Sequence, residues 1–316
     1  MAFEEPRPRC LAITGPTASG KTELALMLAD EFPLEIVSMD SAMVYRGMDI
    51  GTAKPPAAIR ERVPHHLIDV VEPEQSYSAG RFAAEATALI TAIAARGRLA
   101  LVVGGTMLYL RALRDGIAPL PEREPKVRAA IDAEAAAKGW PAMHAKLARV
   151  DPAAAARIEP ADRQRIQRAL EVHAVTGRSL SELQRAAPES GVVVESLALI
   201  PDDRALLAGT IERRFVAMVE QGLVEEVRRL RERPGLGAGS ASMRAVGYRQ
   251  IWAWLDGRMS WAEAAERAVT ATRQLARRQL TWLRGDTRSE RLAADPGLPD
   301  RLRRRVRSCL GALNIE

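Results

Sequence analysis

An α/β fold is predicted from three features of the sequence: a parallel sheet core with helices on both faces, plus an inserted all-helical domain. Short apolar runs alternate with helical stretches early in the chain. A glycine-rich loop joins the first such run to the first helix. A long strandless block then separates these elements from a further apolar run.

In chain order, Cys10-Leu11-Ala12-Ile13-Thr14 has the continuous apolar character of a buried parallel strand. Residues 22–32 predict the first helix. Glu35-Ile36-Val37-Ser38-Met39 predicts a second strand that delivers Asp40-Ser41. Residues 79–96 are Ala-rich at helical spacing, and Leu99-Ala100-Leu101-Val102-Val103 is a third strand running into Gly104-Gly105-Thr106. Pro119, Pro121 and Pro125 then punctuate the chain. Residues 126–187 predict helices only, with stops at Gly139-Trp140-Pro141 and Thr176-Gly177. Strand character returns at Val192-Val193-Val194 and Leu197-Ala198-Leu199-Ile200, and the region beyond Asp202 is read as helical, with a Gly-rich break at 234–242. The expected domains are therefore 1–122 with 189–316, and an insertion at 123–188.

The 316 residues are 47% hydrophobic and 27% charged, which suits a globular protein of about two domains. A net charge of +6 favours a polyanionic partner, nucleic acid before membrane surface; an Arg-rich composition with no such partner is the plainer explanation. Two cysteines, Cys10 and Cys309, near opposite ends exclude a CxxC zinc site or a disulfide framework. No apolar stretch has membrane-spanning length, and Met1–Arg9 has no apolar leader region, so a cytoplasmic protein with no membrane partner is expected.

Gly15-Pro16-Thr17-Ala18-Ser19-Gly20-Lys21-Thr22 fits the P-loop pattern between a strand and a helix, which makes the core P-loop NTPase-like. Its glycines let backbone N–H groups curl around a phosphate at a helix N-terminus. Lys21 adds a point charge, and the Thr22 hydroxyl suits Mg²⁺. This is a nucleotide-binding, ATP-binding signature. Hydrolysis needs a second acid, however, and the third strand ends without one. Asp40 is the best strand-end acid, readable as a general base, a Mg²⁺ ligand or a turn residue. Asp69 follows a less strand-like segment. Thr106 is readable as a site residue or a helix cap. Arg163, Arg165 and Arg168 flank Gln164 and Gln167. Arg273 and Arg277 share a helix face. Arg301–Arg307 reads as a solvated face, and His65-His66, a metal hint without further ligands, as structural or turn chemistry.

The chain resembles the tRNA dimethylallyltransferases, also called tRNA isopentenyltransferases, of the bacterial type. The resemblance rests on six blocks in the family's order: the loop 15–22, Asp40-Ser41 with Val44–Pro55, Gly104–Tyr109, Asp162–Val172, Val246–Gln250 and Thr272–Trp282. It implies transfer of a dimethylallyl group from dimethylallyl diphosphate to N6 of adenine 37 in tRNAs reading codons that begin with U, without ATP hydrolysis. By matching position it assigns Asp40 as base, Thr106 as its helper, and Arg214 to the diphosphate, with neighbouring Arg213 the alternative. It implies that Asp40, Ser41, Ala42, Met43, Thr106, Arg128, Gln164, Arg165, Ile166, Gln167, Arg168, Met243, Arg244, Gly247, Tyr248 and Arg249 contact tRNA, the insertion gripping the anticodon stem-loop. Mg²⁺ is the implied cofactor, and a monomer is expected. The sequence departs from the family's usual pattern at Ala42-Met43, where Met-Gln is frequent, and at Ala245, where Cys is frequent. Three other readings compete with this one. An ATP-using small-molecule kinase and a free-adenylate isopentenyltransferase both leave the basic helical insertion unexplained, and a non-catalytic RNA-binding protein leaves Lys21, Thr22 and Asp40 unexplained.

Overall fold

A computed structural model describes residues 7–201, 203–313 and 315. Most of the leader reading at Met1–Arg9 falls outside these residues, as does Asp202. The chain divides into two compact units, Met1–Arg114 with Gly191–Glu316, and Asp115–Ser190.

The first unit begins β1 (Arg9–Thr14), α1 (Lys21–Glu31), β2 (Leu34–Met39), α2 (Ala57–Arg62), β3 (His65–His66), α3 (Ala79–Ala94), β4 (Leu99–Gly104) and α4 (Met107–Asp115). The second unit is helical: α5 (Pro125–Lys138), α6 (Trp140–Val150), α7 (Pro152–Ala155), α8 (Arg163–Thr176) and α9 (Leu180–Arg185). The first unit resumes with β5 (Val193–Ile200), α10 (Arg204–Glu220), α11 (Leu223–Arg231), a 3₁₀ turn at Ser242–Arg244, α12 (Tyr248–Leu255), α13 (Trp261–Gly285), β6 (Glu290–Ala293) and α14 (Leu298–Ala312).

The six strands form one all-parallel sheet in the order β3-β2-β4-β1-β5-β6. Every residue of β2 and β4 is buried, as strands covered on both faces require. On one face Leu11, Ile13, Leu101 and Leu199 pack against Leu28 of α1 and Leu302 and Val306 of α14. On the other, Ala198 packs with Met107 of α4 and Leu283 of α13, and Phe82 of α3 stacks on Tyr109 of α4 at 4.3 Å. Parallel strands place all their carboxyl ends on one edge, and a ligand crevice forms there.

Two strands escaped the sequence reading. β3 is two histidines long, and β6 buries only Leu292 among exposed charged neighbours. Neither carries an apolar run; both exist because an edge of the sheet offers them hydrogen bonds. The strand character at 192–200 is one strand, β5, bonded to β1.

The second unit has its own core, in which Ile131, Leu147, Ile166 and Leu170 are buried together. Asp151 caps α7 through Ala154 N–H (2.9 Å) and accepts Ser181 N–H (2.8 Å), tying α7 to α9. No described helix is long and apolar enough to cross a membrane.

Candidate active site

β1 hands the chain to the loop at the sheet's centre. Ala18 (φ 62°) and Gly20 (φ 79°) both adopt the left-handed conformation, curling the backbone into a concave run before α1 begins at Lys21. Only Gly20 adopts it without a Cβ penalty; strain at Ala18 of the kind stored at ligand cradles is held by the loop's surroundings. Lys21 folds back over this concavity, its Nζ donating to Pro16 O (2.5 Å) and Ser19 Oγ (3.3 Å).

Asp40 stands one residue beyond β2. Its Oδ1 accepts N–H bonds from Ala42 (2.8 Å) and Met43 (3.4 Å), which fixes the carboxylate's direction and leaves Oδ2 without a donor among the described residues. Thr106 joins it from the end of β4: its Oγ1 accepts Ser41 N–H (3.0 Å) and donates to Ser41 Oγ (3.3 Å). The two strand ends come this close because residue 104 is glycine. A Cβ there would lie 2.1 Å from Met39 O.

Lys21, Thr22, Asp40 and Arg214 line one pocket with Gly104 and Gly105. Arg214 of α10 turns its half-buried guanidinium into this space and makes no ion pair among the described residues. Burial lowers its pKa, while Asp40 and Glu23 oppose that shift. Arg213 is exposed and donates to Thr210 Oγ1 (3.1 Å). Helical geometry points adjacent residues in different directions, so of the two arginines Arg214 is the one in the pocket. Burial also lowers the Lys21 pKa to about 8, against a rise from Asp40 and a further lowering from Arg214. Bringing two cations into one pocket stores repulsion that a polyanion would relieve.

The Thr22 hydroxyl makes no hydrogen bond among the described residues. A free hydroxyl beside a phosphate cradle suits Mg²⁺, which keeps several waters and takes phosphate oxygens rather than an all-protein cage. No group of three His, Cys, Asp or Glu forms a metal cluster among the described residues.

Two pocket residues, Gln279 and His65, were given no role in the site by the sequence. Gln279 of α13 accepts Thr17 N–H (2.9 Å) through Oε1 and donates to Gly105 O (2.8 Å) through Nε2, joining the loop to the β4 turn. His65 lines the pocket, while His66 bonds Glu35 (2.7 Å) away from it. A glutamine inside a long helix and a histidine pair without further ligands carry no local signal; their places depend on where α13 and β3 pack. Met43, at the position of departure, also lines the pocket and accepts a weak bond from Ser38 Oγ (3.7 Å). Asp69 is a structural acid: it binds Lys54 (2.5 Å) and Arg60 (2.7 Å).

Three side chains expected to face RNA lie in the interior instead. Ile166, Met243 and Tyr248 are each 0% exposed. The Tyr248 hydroxyl donates to Glu226 Oε1 (2.5 Å), and Glu226 accepts the N–H groups of Asp49, Ile50 and Gly51. Arg244 and Arg249 beside them are exposed, and Gly247 takes φ 90° between them. Within the helical unit, Gln164 and Arg165 are exposed on the first turn of α8, whereas Arg168 and Arg128 both pair with buried Glu171 (2.8 and 3.2 Å). Gln167 bonds Asp132 (2.6 Å). In the C-terminal arginine run, Arg301, Arg303 and Arg305 pair with Asp295, Glu31 and Glu290, as a solvated face does.

A parallel sheet whose central strand feeds a concave loop, with a lysine at the head of the following helix, defines a P-loop-like α/β protein. Comparison with known proteins narrows the class. Residues 43–286 match the family described as IPP transferase. A tRNA dimethylallyltransferase of Nitrosococcus oceani is 56% identical over 92% of both chains, and one of Ralstonia nicotianae is 52% identical over 96% of this chain and 97% of its own. The solved tRNA isopentenylpyrophosphate transferase of Bacillus halodurans superposes with a TM-score of 0.70 at 36% identity, covering 97% and 98% of the two chains. A eukaryotic dimethylallyltransferase acting on tRNA gives 0.75 at 26% identity, covering 91% and 74%. The chain belongs to the tRNA dimethylallyltransferase family, a family of prenyltransferases.

Proposed function

We propose that the protein transfers the dimethylallyl group of dimethylallyl diphosphate to N6 of adenine 37, in tRNAs that read codons beginning with U, and releases diphosphate. The observation that carries this reading is that Lys21, Arg214 and Asp40 line one pocket, with Asp40 close enough to act on both cations.

The chemistry follows from the charges. As the allylic C1–O bond breaks, negative charge builds on the departing diphosphate. Lys21, Arg214 and the loop N–H groups are oriented to stabilise it before it forms. Thr22 would hold Mg²⁺, which adds positive charge beside the leaving oxygens when bound. The adenine amine is a weak nucleophile because its lone pair is delocalised into the ring. Asp40 accepts one N6 proton as the N6–C1 bond forms, so no full charge develops on nitrogen. Thr106 orders Ser41 and thereby the turn that aims Asp40. The adenine must leave the anticodon-loop stack, which costs a few kcal/mol and less in a loop than in a duplex. The exposed Gln164 and Arg165 of α8, with Arg244 and Arg249, supply polar and cationic contacts for the RNA. The protein acts as a monomer in the cytoplasm.

The test is transfer from labelled dimethylallyl diphosphate with Mg²⁺ to an anticodon stem-loop carrying A36-A37-A38, run beside AMP as acceptor. Transfer to the stem-loop alone is expected. ATP turnover without transfer would overturn the reading.

A further inference from the structure

Gln279 bonds two parts of the site at once. It lies within α13, one helical turn beyond Leu275, and both side chains line the pocket. Thr17 N–H can only donate and Gly105 O can only accept. The amide is therefore held one way round, with Oε1 on Thr17 (2.9 Å) and Nε2 on Gly105 (2.8 Å). The approach is close: a Cβ at residue 105 would meet Gln279 Nε2 at 2.5 Å and Gly15 O at 3.0 Å. Glycine at 105 is what admits the amide. Gln279 is buried, and both ends of its amide are bonded.

Each partner leads on to a group of the proposed chemistry. The Pro16–Thr17 peptide is trans, so its C=O and N–H point to opposite sides. Gln279 holds the N–H, and Lys21 Nζ donates to the C=O of the same peptide (2.5 Å). On the other side, Gly105 is followed by Thr106. Its N–H donates to Met39 O (3.3 Å) and its Oγ1 accepts Ser41 N–H (3.0 Å), the residues on either side of Asp40. We infer that Gln279 is a positioning residue, which sets the spacing between the lysine that meets the leaving diphosphate and the aspartate that takes the proton. Transfer from C1 to N6 needs both ends of the reacting pair held at one separation, and a displacement of about 1 Å can cost about 10²-fold in rate. Gln279 itself moves no proton and breaks no bond. The inference rests on the proposed reaction.

Steady-state transfer by the unsubstituted protein, Gln279→Leu and Gln279→Glu tests it, with thermal midpoints recorded for each. Gln279→Leu fills similar space and bonds neither partner. Its kcat should fall by about 10- to 100-fold, while the KM values for dimethylallyl diphosphate and the stem-loop stay within about threefold. Gln279→Glu still accepts from Thr17, but when ionised it sets an oxygen against Gly105 O. When protonated it donates there instead. The ratio of its kcat to that of the unsubstituted protein should therefore climb as pH falls from about 9 to about 6, and the leucine ratio should stay flat. A leucine kcat within about twofold of the unsubstituted value, a loss confined to the KM for dimethylallyl diphosphate, or a glutamate ratio that stays flat across pH overturns the positioning role. If the leucine variant fails to fold, the glutamate ratio decides alone. Transfer by the unsubstituted protein keeps the proposed function standing however the variants behave; its absence overturns both.

Discussion

Lys21 and Arg214 share one pocket, and burial lowers the lysine's pKa to about 8 from its ordinary 10.5. Between those values the unfolded chain binds the extra proton and the folded chain does not. In the ligand-free protein this group therefore makes stability rise with pH across that window. On the proposed function, anion affinity should run the other way, since the neutral amine must be reprotonated to hold an anion. Inorganic diphosphate binding, measured by calorimetry, should weaken as pH climbs through about 8, and Lys21→Met should remove that dependence. Arg214→Gln should raise the KM for dimethylallyl diphosphate by about tenfold or more, from the loss of a charge-assisted contact, while Arg213→Gln should leave it within about twofold. Steady-state kinetics distinguishes them. That Lys21, Thr22 and Asp40 stand at the strand ends was legible in the sequence, because local context marks such places: a loop between strand and helix, an acid at a strand end. The choice of Arg214 over Arg213 was not, because it depends on the rotation of α10 against the sheet.

At the scale of elements, α8 carries two kinds of arginine. Arg165, with Gln164, is exposed, whereas Arg168 bonds the buried carboxylate of Glu171 and Pro121 O (2.7 Å). Arg165→Ala should weaken stem-loop binding and reduce its salt slope by about 0.7–0.9 without moving the melting temperature. Arg168→Ala should lower stability by about 2–4 kcal/mol, because it removes one of the two partners that keep the Glu171 charge compensated in the interior. Binding titrations across salt and thermal denaturation separate the two. Likewise Tyr248→Phe should destabilise the protein by about 1–3 kcal/mol, leaving Glu226 short of a donor. In sequence these arginines, and Tyr248 among its polar neighbours, look alike. Burial sorts them, and burial is set by which helices face each other.

For the whole molecule, the first unit is closed by joining the two ends of the described chain: β1 lies at the sheet's centre and α14 packs on it. Cys10 and Cys309 are both buried there, and burial pushes the Cys309 thiol up to about 12. Neither is disulfide-bonded, so a reductant should leave the melting curve unchanged. Thiol labelling by mass spectrometry should proceed at the rate of global unfolding. The sequence by itself determined the central strands, the concave glycine loop and the run of helices between β4 and β5, because strand runs, glycine turns and helical periodicity are short-range patterns that the backbone reads locally. Only the tertiary structure decided that Gln279, from late in the chain, bridges the loop to β4, that His65 enters the pocket while His66 leaves it, and that Tyr248 is core. Each depends on elements distant in sequence packing onto one sheet, and no local pattern encodes which neighbour a side chain will meet.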